Sequence, residues 1–228
     1  RLFLYVNNRT PSPVVSGSQV SGGQTERQSI GLGKTSDTFP GSSSARILNS
    51  LGSAFGAAAR SVDSIKRWCK LAGYTLPTPD VATVANLKKM NGDGIFYWAT
   101  HGGYGERNDA KSGDTFALWT ADEVNAGNEI KYLADLNTHN VLYMYAANDS
   151  ARGGPPTSAM HYCVDLWFIT NNMSFAENSL VYFDACGSGG IDPAFSFALI
   201  NAGLYLGWSL PVTDADADRA ARYLFDRT

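Results

Sequence analysis

Two apolar runs, each closed by small residues, constrain this chain more than anything else in it. Ile95-Phe96-Tyr97-Trp98-Ala99 leads into Thr100-His101-Gly102-Gly103, and Val181-Tyr182-Phe183-Asp184-Ala185 leads into Cys186-Gly187-Ser188-Gly189. Short apolar runs ended by glycine suit strands buried on both faces of a parallel sheet. Open α/β sheets place their ligands just past the carboxyl ends of such strands. If the two strands are neighbours, His101 and Cys186 face one cleft. That is the pairing a thiol nucleophile needs, because a nearby imidazole raises the thiolate fraction of a cysteine.

The rest of the chain alternates strand and helix patterns. Leu2 to Val6 is β-like and is a candidate first core strand. Asn7 to about Ser44 is rich in Ser, Gly, Thr and Pro, buries little, and reads as a long loop or flexible arm. Ala45 to Ala72 reads as helix: Ile47, Leu48, Leu51 and Phe55, then Val62, Ile65, Trp68 and Cys69, recur at helical steps before Gly73. Tyr74 to Leu76 suits a short strand, and Val81 to Met90 a second amphipathic helix. Residues 104–114 read as a mobile polar loop beside the active edge. Thr115 to Thr120 follows as a strand, with Ala121 to Val124 starting a short helix. Residues 125–178 form an insertion, in which Val141 to Ala146 is strand-like and Ala159 to Ile169 suits an apolar helix. Pro193 to Asn201 reads as helix, Leu204 to Ser209 as strand and Asp214 to Arg227 as helix. This alternation predicts one α/β domain over residues 1–228, a doubly wound, mostly parallel sheet.

Composition narrows the function classes. Of 228 residues 44% are hydrophobic, enough for a sizeable core, and the net charge is −3. No basic block is present, which argues against nucleic acid as a partner. The three cysteines make no disulfide framework and no zinc spacing, although a Cys69–Cys163 bridge is compatible with export. Ala194 to Val212 carries no charge, but its Ser, Asn, Gly and Pro residues read as helix, turn and buried strand rather than a membrane span. Gly31-Leu32-Gly33-Lys34-Thr35 lacks the spacing of a phosphate loop, so no cofactor is expected. The compartment stays open.

The strand ending Thr100-His101-Gly102-Gly103 and the later one ending Asp184-Ala185-Cys186-Gly187-Ser188-Gly189 resemble the caspase-like cysteine peptidases, nearest to metacaspase, clostripain and CHAT-type members. Gly207-Trp208-Ser209-Leu210-Pro211-Val212-Thr213-Asp214 is similar to the strand-to-helix segment after the cysteine in CHAT-type members. The resemblance spans roughly residues 94–226. It departs from true caspases, whose Gln two places before the cysteine is Asp184 here, and from metacaspases, whose His after the cysteine is Gly187 here. The family usually adds a strand beyond the last helix; here that strand lies elsewhere or outside this sequence.

The resemblance implies a caspase-like fold with helices on both faces of the sheet, and a protein or peptide substrate. It also implies a Cys–His dyad in which Cys186 attacks the peptide carbonyl and His101 protonates the leaving amine. The Gly102 and Cys186 amides are the expected oxyanion donors. Asp184, two residues before Cys186, points to the same side of its strand. In metacaspase-like members the matching aspartate favours Arg or Lys at P1; alternatively it holds backbone amides of the loop. Asp214 is a candidate second pocket acid. Trp208 and Ser209 are candidates for a pocket wall and a backbone partner of the substrate, with plain core packing the other reading of Trp208. His139 and His161 are weaker competitors of His101. Self-cleavage after Arg152, Arg27, Lys34 or Arg46, or a regulatory partner, is a further expectation. The alternatives are a catalytically silent caspase-fold scaffold or regulatory binding domain, and an unrelated cysteine-centred hydrolase or transferase.

Overall fold

The computed structural model describes residues 2–6, 39–52, 56–106, 114–144, 160–189 and 202–226. Five strands make the principal sheet: β1 (Leu2–Val6), β2 (Ala45–Asn49), β3 (Asn91–Ala99), β8 (Ser174–Asp184) and β9 (Ala202–Trp208). Their order is β1-β9-β8-β3-β2. Strands β2, β3, β8 and β9 are parallel, while β1 runs antiparallel along β9. The expected mixed α/β architecture with a mostly parallel sheet is therefore present. The Leu2 to Val6 strand occupies an edge of that sheet.

One face of the sheet is covered by two helices, α1 (Gly56–Leu71) and α5 (Asp214–Phe225). Ile47, Tyr97, Tyr182 and Leu206 from the strands pack there against Val62, Ile65, Ala221 and Phe225. The other face meets a second, four-stranded antiparallel sheet: β4 (Gly102–Glu106), β5 (Asp114–Glu123), β6 (Val141–Met144) and β7 (His161–Asp165), in the order β4-β5-β7-β6. Short helices α2 (Val84–Leu87), α3 (Ala126–Asn137) and α4 (Leu166–Asn172) complete that side. Phe96, Trp98, Val181 and Phe183 pack there with Phe116, Leu118, Tyr162, Val164 and Phe168. Residues of β3 and β8 are thus buried on alternating sides, which is why their sequences read as unbroken apolar runs.

Several local expectations are corrected. Ala45–Asn49 is strand, not the start of a helix, and the helix over this region is limited to Gly56–Leu71. Strand geometry sends Ile47 to one core and Leu48 to the other. It also brings Arg46 onto Asp93 of β3, Nε to carboxylate at 2.6 Å, in a buried pair. Tyr74 to Leu76 contributes one isolated bridge, Ser44 to Thr75, rather than a strand. The helix expected over Val81 to Met90 is only Val84–Leu87. Ala121 to Glu123 continues β5, and α3 starts three residues later behind the N-cap Asn125. The helix expected over Ala159 to Ile169 is strand β7 and then α4, divided at Asp165. The start of the loop expected at 104–114 is paired in β4 as far as Glu106.

Residues 7–38 of the arm expected over Asn7 to about Ser44, the loop tip 107–113, residues 145–159 with Arg152-Gly153, and the helix expected over Pro193 to Asn201 lie outside the described residues. The end of that arm is held to the fold, with Ser44 bridging Thr75 and its hydroxyl donating to Asp93 at 2.6 Å. Arg46 is buried in β2, so of the proposed self-cleavage positions it is enclosed by structure. Cys69 and Cys163 are both free and belong to separate core clusters, so no bridge joins them. Among the described residues no helix is long and apolar enough to cross a membrane.

Candidate active site

Strands β3 and β8 are adjacent, parallel and in register, with Ala99 opposite Asp184. His101 and Cys186 each stand two residues beyond that pair, at the carboxyl edge of the sheet. The ladder carries on past the strand ends, because the Thr100 N–H donates to the Asp184 carbonyl at 3.2 Å. Thr100 Oγ1 donates to the Trp119 carbonyl at 2.7 Å, which ties this edge to the second sheet.

The Cys186 turn is held by small residues. Gly187 has φ of +73°, a backbone conformation that side chains disfavour. The buried Ser188 hydroxyl lies 2.7 Å from both the Phe183 and Ala185 carbonyls, which share its one proton, and accepts the Trp208 N–H at 3.0 Å. The Gly189 N–H donates to the Trp208 carbonyl at 2.8 Å. The turn is therefore pinned to the end of β9. Cys186 itself is half-buried. Its sulfur accepts the Val212 N–H at 3.3 Å, and the thiol reaches the Val212 carbonyl at 3.6 Å.

Gly102 opens β4 directly against this turn. A Cβ at Gly102 would lie 2.6 Å from the Cys186 carbonyl oxygen and 3.1 Å from Ala185 Cβ. Only glycine permits that approach. Gly102 faces Leu118, and the Trp119 N–H donates to the His101 carbonyl at 3.0 Å. That bond makes Gly102 and Leu118 a non-hydrogen-bonded antiparallel pair, so the Gly102 N–H is directed away from β5. Since β4 is the edge strand of its sheet, this donor faces outward.

His101 lies against the second sheet. Its ring meets the Trp119 indole edge to face, with centroids 4.5 Å apart, and Trp119 also stacks on His161 at 4.5 Å. Burial and the neighbouring His161 hold the His101 imidazole below its ordinary range, so the neutral ring is favoured. His139 sits in the turn after α3, with φ of 55°, away from this edge.

Asp184 is buried beneath the site. Its carboxylate accepts from Tyr97 Oη at 2.7 Å, Tyr182 Oη at 3.2 Å and Trp208 Nε1 at 2.6 Å. Among the described residues its partners are side-chain donors rather than backbone amides. Burial raises its pKa; the three donors work the other way, and the Asp214 charge adds to the rise. Desolvation, with the Asp184 charge, also drives the Tyr97 and Tyr182 phenols upward, which keeps them as donors. Trp208 is buried in the core and its indole is committed to Asp184; Ser209 beside it is half-buried. Asp214 begins α5 and accepts the Ala58 N–H of α1 at 3.1 Å.

The two sheet ends thus gather Cys186, His101 and Gly102 at one edge, with Asp184 and Trp208 in the layer below. Sequence reasoning did not single out Trp119, Tyr97, Tyr182 or Val212. The aromatic residues read as core, and Val212 acts through its backbone, which carries no sequence signal. No group of acidic, histidine or cysteine side chains among the described residues could hold a metal ion. Comparison with protein-family models, curated proteins and solved structures found no match.

Proposed function

We propose that this chain is a cysteine endopeptidase of caspase-like build that uses Cys186 as nucleophile and His101 as its proton carrier. The observation that carries the reading is register: Ala99 opposite Asp184 puts the histidine and the cysteine at equivalent places past two neighbouring parallel strands. Further support comes from the strand arrangement. The strand that such peptidases usually add beyond the last helix has a counterpart in β1, which reaches the edge of β9 from the other end of the chain.

In the reaction, the Cys186 thiol passes its proton to the neutral His101 ring as sulfur attacks the peptide carbonyl. The outward Gly102 N–H, with that of Cys186, serves the developing oxyanion. Collapse of the tetrahedral species breaks the C–N bond, His101 returns the proton to the leaving amine, and water then hydrolyses the thioester. Asp184 is the acid through which a basic P1 side chain would be favoured. It is a buried carboxylate whose three partners among the described residues are all neutral. Trp208 then acts by fixing Asp184, Ser209 as the backbone partner of an extended substrate, and Asp214 as an added negative charge nearby.

The test is a panel of fluorogenic peptides differing only at P1, read with wild type and Cys186→Ala. Cleavage should fall by at least about a thousandfold in the variant. Cleavage that survives the substitution removes Cys186 as nucleophile. Loss in the variant without preference for Arg or Lys keeps the dyad and removes the role of Asp184. A second reading, a silent caspase-fold scaffold that binds a partner, is favoured by one observation. The Cys186 sulfur is engaged with the Val212 backbone. Absence of cleavage across the panel, with a fold unchanged in Cys186→Ala, would select it.

A further inference from the structure

We propose that His161, acting through Trp119, is the positioning residue of His101, an inference that rests on the peptidase reading above. His101, Trp119 and His161 come from three successive places on the second sheet: the entry to β4, the middle of β5 and the start of β7. His101 faces Trp119 across the β4–β5 pair, Trp119 faces Cys163 across the β5–β7 pair, and His161 lies two residues before Cys163 on the same side. The β5–β7 register breaks between Trp119 and Glu123, and there the His161 ring lies over the indole, 13° from parallel.

The indole needs such a support. Trp119 is buried, yet its Nε1–H has no acceptor among the described residues, so no hydrogen bond through that nitrogen sets the plane of the ring. His161 is itself anchored, with Nδ1 at 3.2 Å from the Thr120 carbonyl. That carbonyl can only accept, so Nδ1 carries the proton in the contact. A fixed imidazole therefore sets the indole plane, and the indole in turn sets the angle at which His101 stands, 69° to it. His161 also disfavours a positive charge on His101. The other titratable side chains on the surrounding elements include buried Asp122 and exposed Glu123 at the end of β5, buried Tyr162, Cys163 and Asp165 on β7, and Asp184 and Cys186 at the end of β8.

The test uses full-length protein with labelled histidine. The chain has three histidines, so the imidazole signals are assigned with His139→Gln and the His161 variants. His161→Phe keeps a stacked ring but removes the titratable group and its Nδ1 contact to the Thr120 carbonyl; His161→Ala removes the ring as well. In His161→Phe the His101 titration midpoint should move up and the acid limb of kcat should follow it, with plateau kcat near wild type. In His161→Ala kcat should in addition fall about tenfold or more at nearly unchanged KM, because the ring loses its orientation. A His101 midpoint and kcat unchanged in both variants overturn the proposal. The midpoint is read without substrate, which separates the two readings. Moved midpoint without peptide cleavage by wild type sinks the peptidase and leaves the ring coupling standing. Cleavage with neither midpoint nor kcat responding sinks the positioning role alone.

Discussion

Burial works against a charge on Asp184, and three neutral donors do not fully offset it. The folded state therefore holds the Asp184 proton more tightly than the unfolded chain does. Such a group stabilises the fold below the unfolded carboxyl range, near pH ~4, and loses that contribution as pH rises through the folded value. Asp184→Asn removes the titration and keeps an acceptor for the Trp208 indole. Wild type minus Asp184→Asn stability should accordingly decline as pH rises from about 4 toward 7. Thermal melts of both proteins across that range check it; a difference that stays flat or grows with pH would show that the donors outweigh burial. His101 has the opposite sign. Its neutral form is favoured in the fold, so its contribution is present above the ordinary imidazole range and is lost as pH falls.

At the scale of elements, the strand ends were legible and the helix starts were less so. Strands β3, β8 and β9 announced themselves because burial on both faces demands continuous apolar sequence bounded by glycine or polar residues. Strand β2 did not, because Ile47, Leu48 and Leu51 satisfy a helical period as well as a buried strand, and Arg46 reads as a solvent-facing side chain until Asp93 is seen beside it. Strand β7 and helix α4 merged for the same reason: Tyr162 to Ile169 is apolar except at Asp165. That aspartate is the missed signal. Its side chain accepts the Phe168 N–H at 3.0 Å and caps α4, so strand stops and helix begins there. Asp165→Ala should cost about 1–2 kcal/mol, a fall in Tm of several degrees for a chain of this size. Asp165→Asn should recover most of it. Equal losses in the two variants would mean that the carboxylate charge, not the cap, is what the site uses. The candidate pair His101 and Cys186 was legible because it lies at strand ends. Its supports were not, because Trp119 and His161 come close only through the register of a sheet whose antiparallel pairing joins residues far apart in the chain.

For the molecule as a whole, the site depends on a sheet that the chain closes from both directions. The Cys186 turn hangs on the backbone of Trp208, whose N–H meets Ser188 Oγ and whose carbonyl accepts from Gly189. Trp208 ends β9, and β9 is held on one side by β8 and on the other by β1, with Leu2 opposite Trp208. Residues at the very start of this sequence therefore brace the turn that carries Cys186. Removing residues 1–6 would leave a row of unpaired N–H and C=O groups along β9, a template for edge-to-edge association. The expected results are a lower Tm, faster amide exchange over residues 204–208, and concentration-dependent oligomers in light scattering. Peptide cleavage should weaken as well, through the loosened Cys186 turn rather than through any group that touches substrate. If exchange at 204–208 and cleavage both match the full chain, β8 alone organises β9 and the antiparallel strand has no part in holding the site. If exchange quickens while cleavage is retained, the Ser188 and Gly189 bonds to Trp208 suffice to hold the turn against a frayed edge. The link between the first strand and Cys186 would then be stability alone.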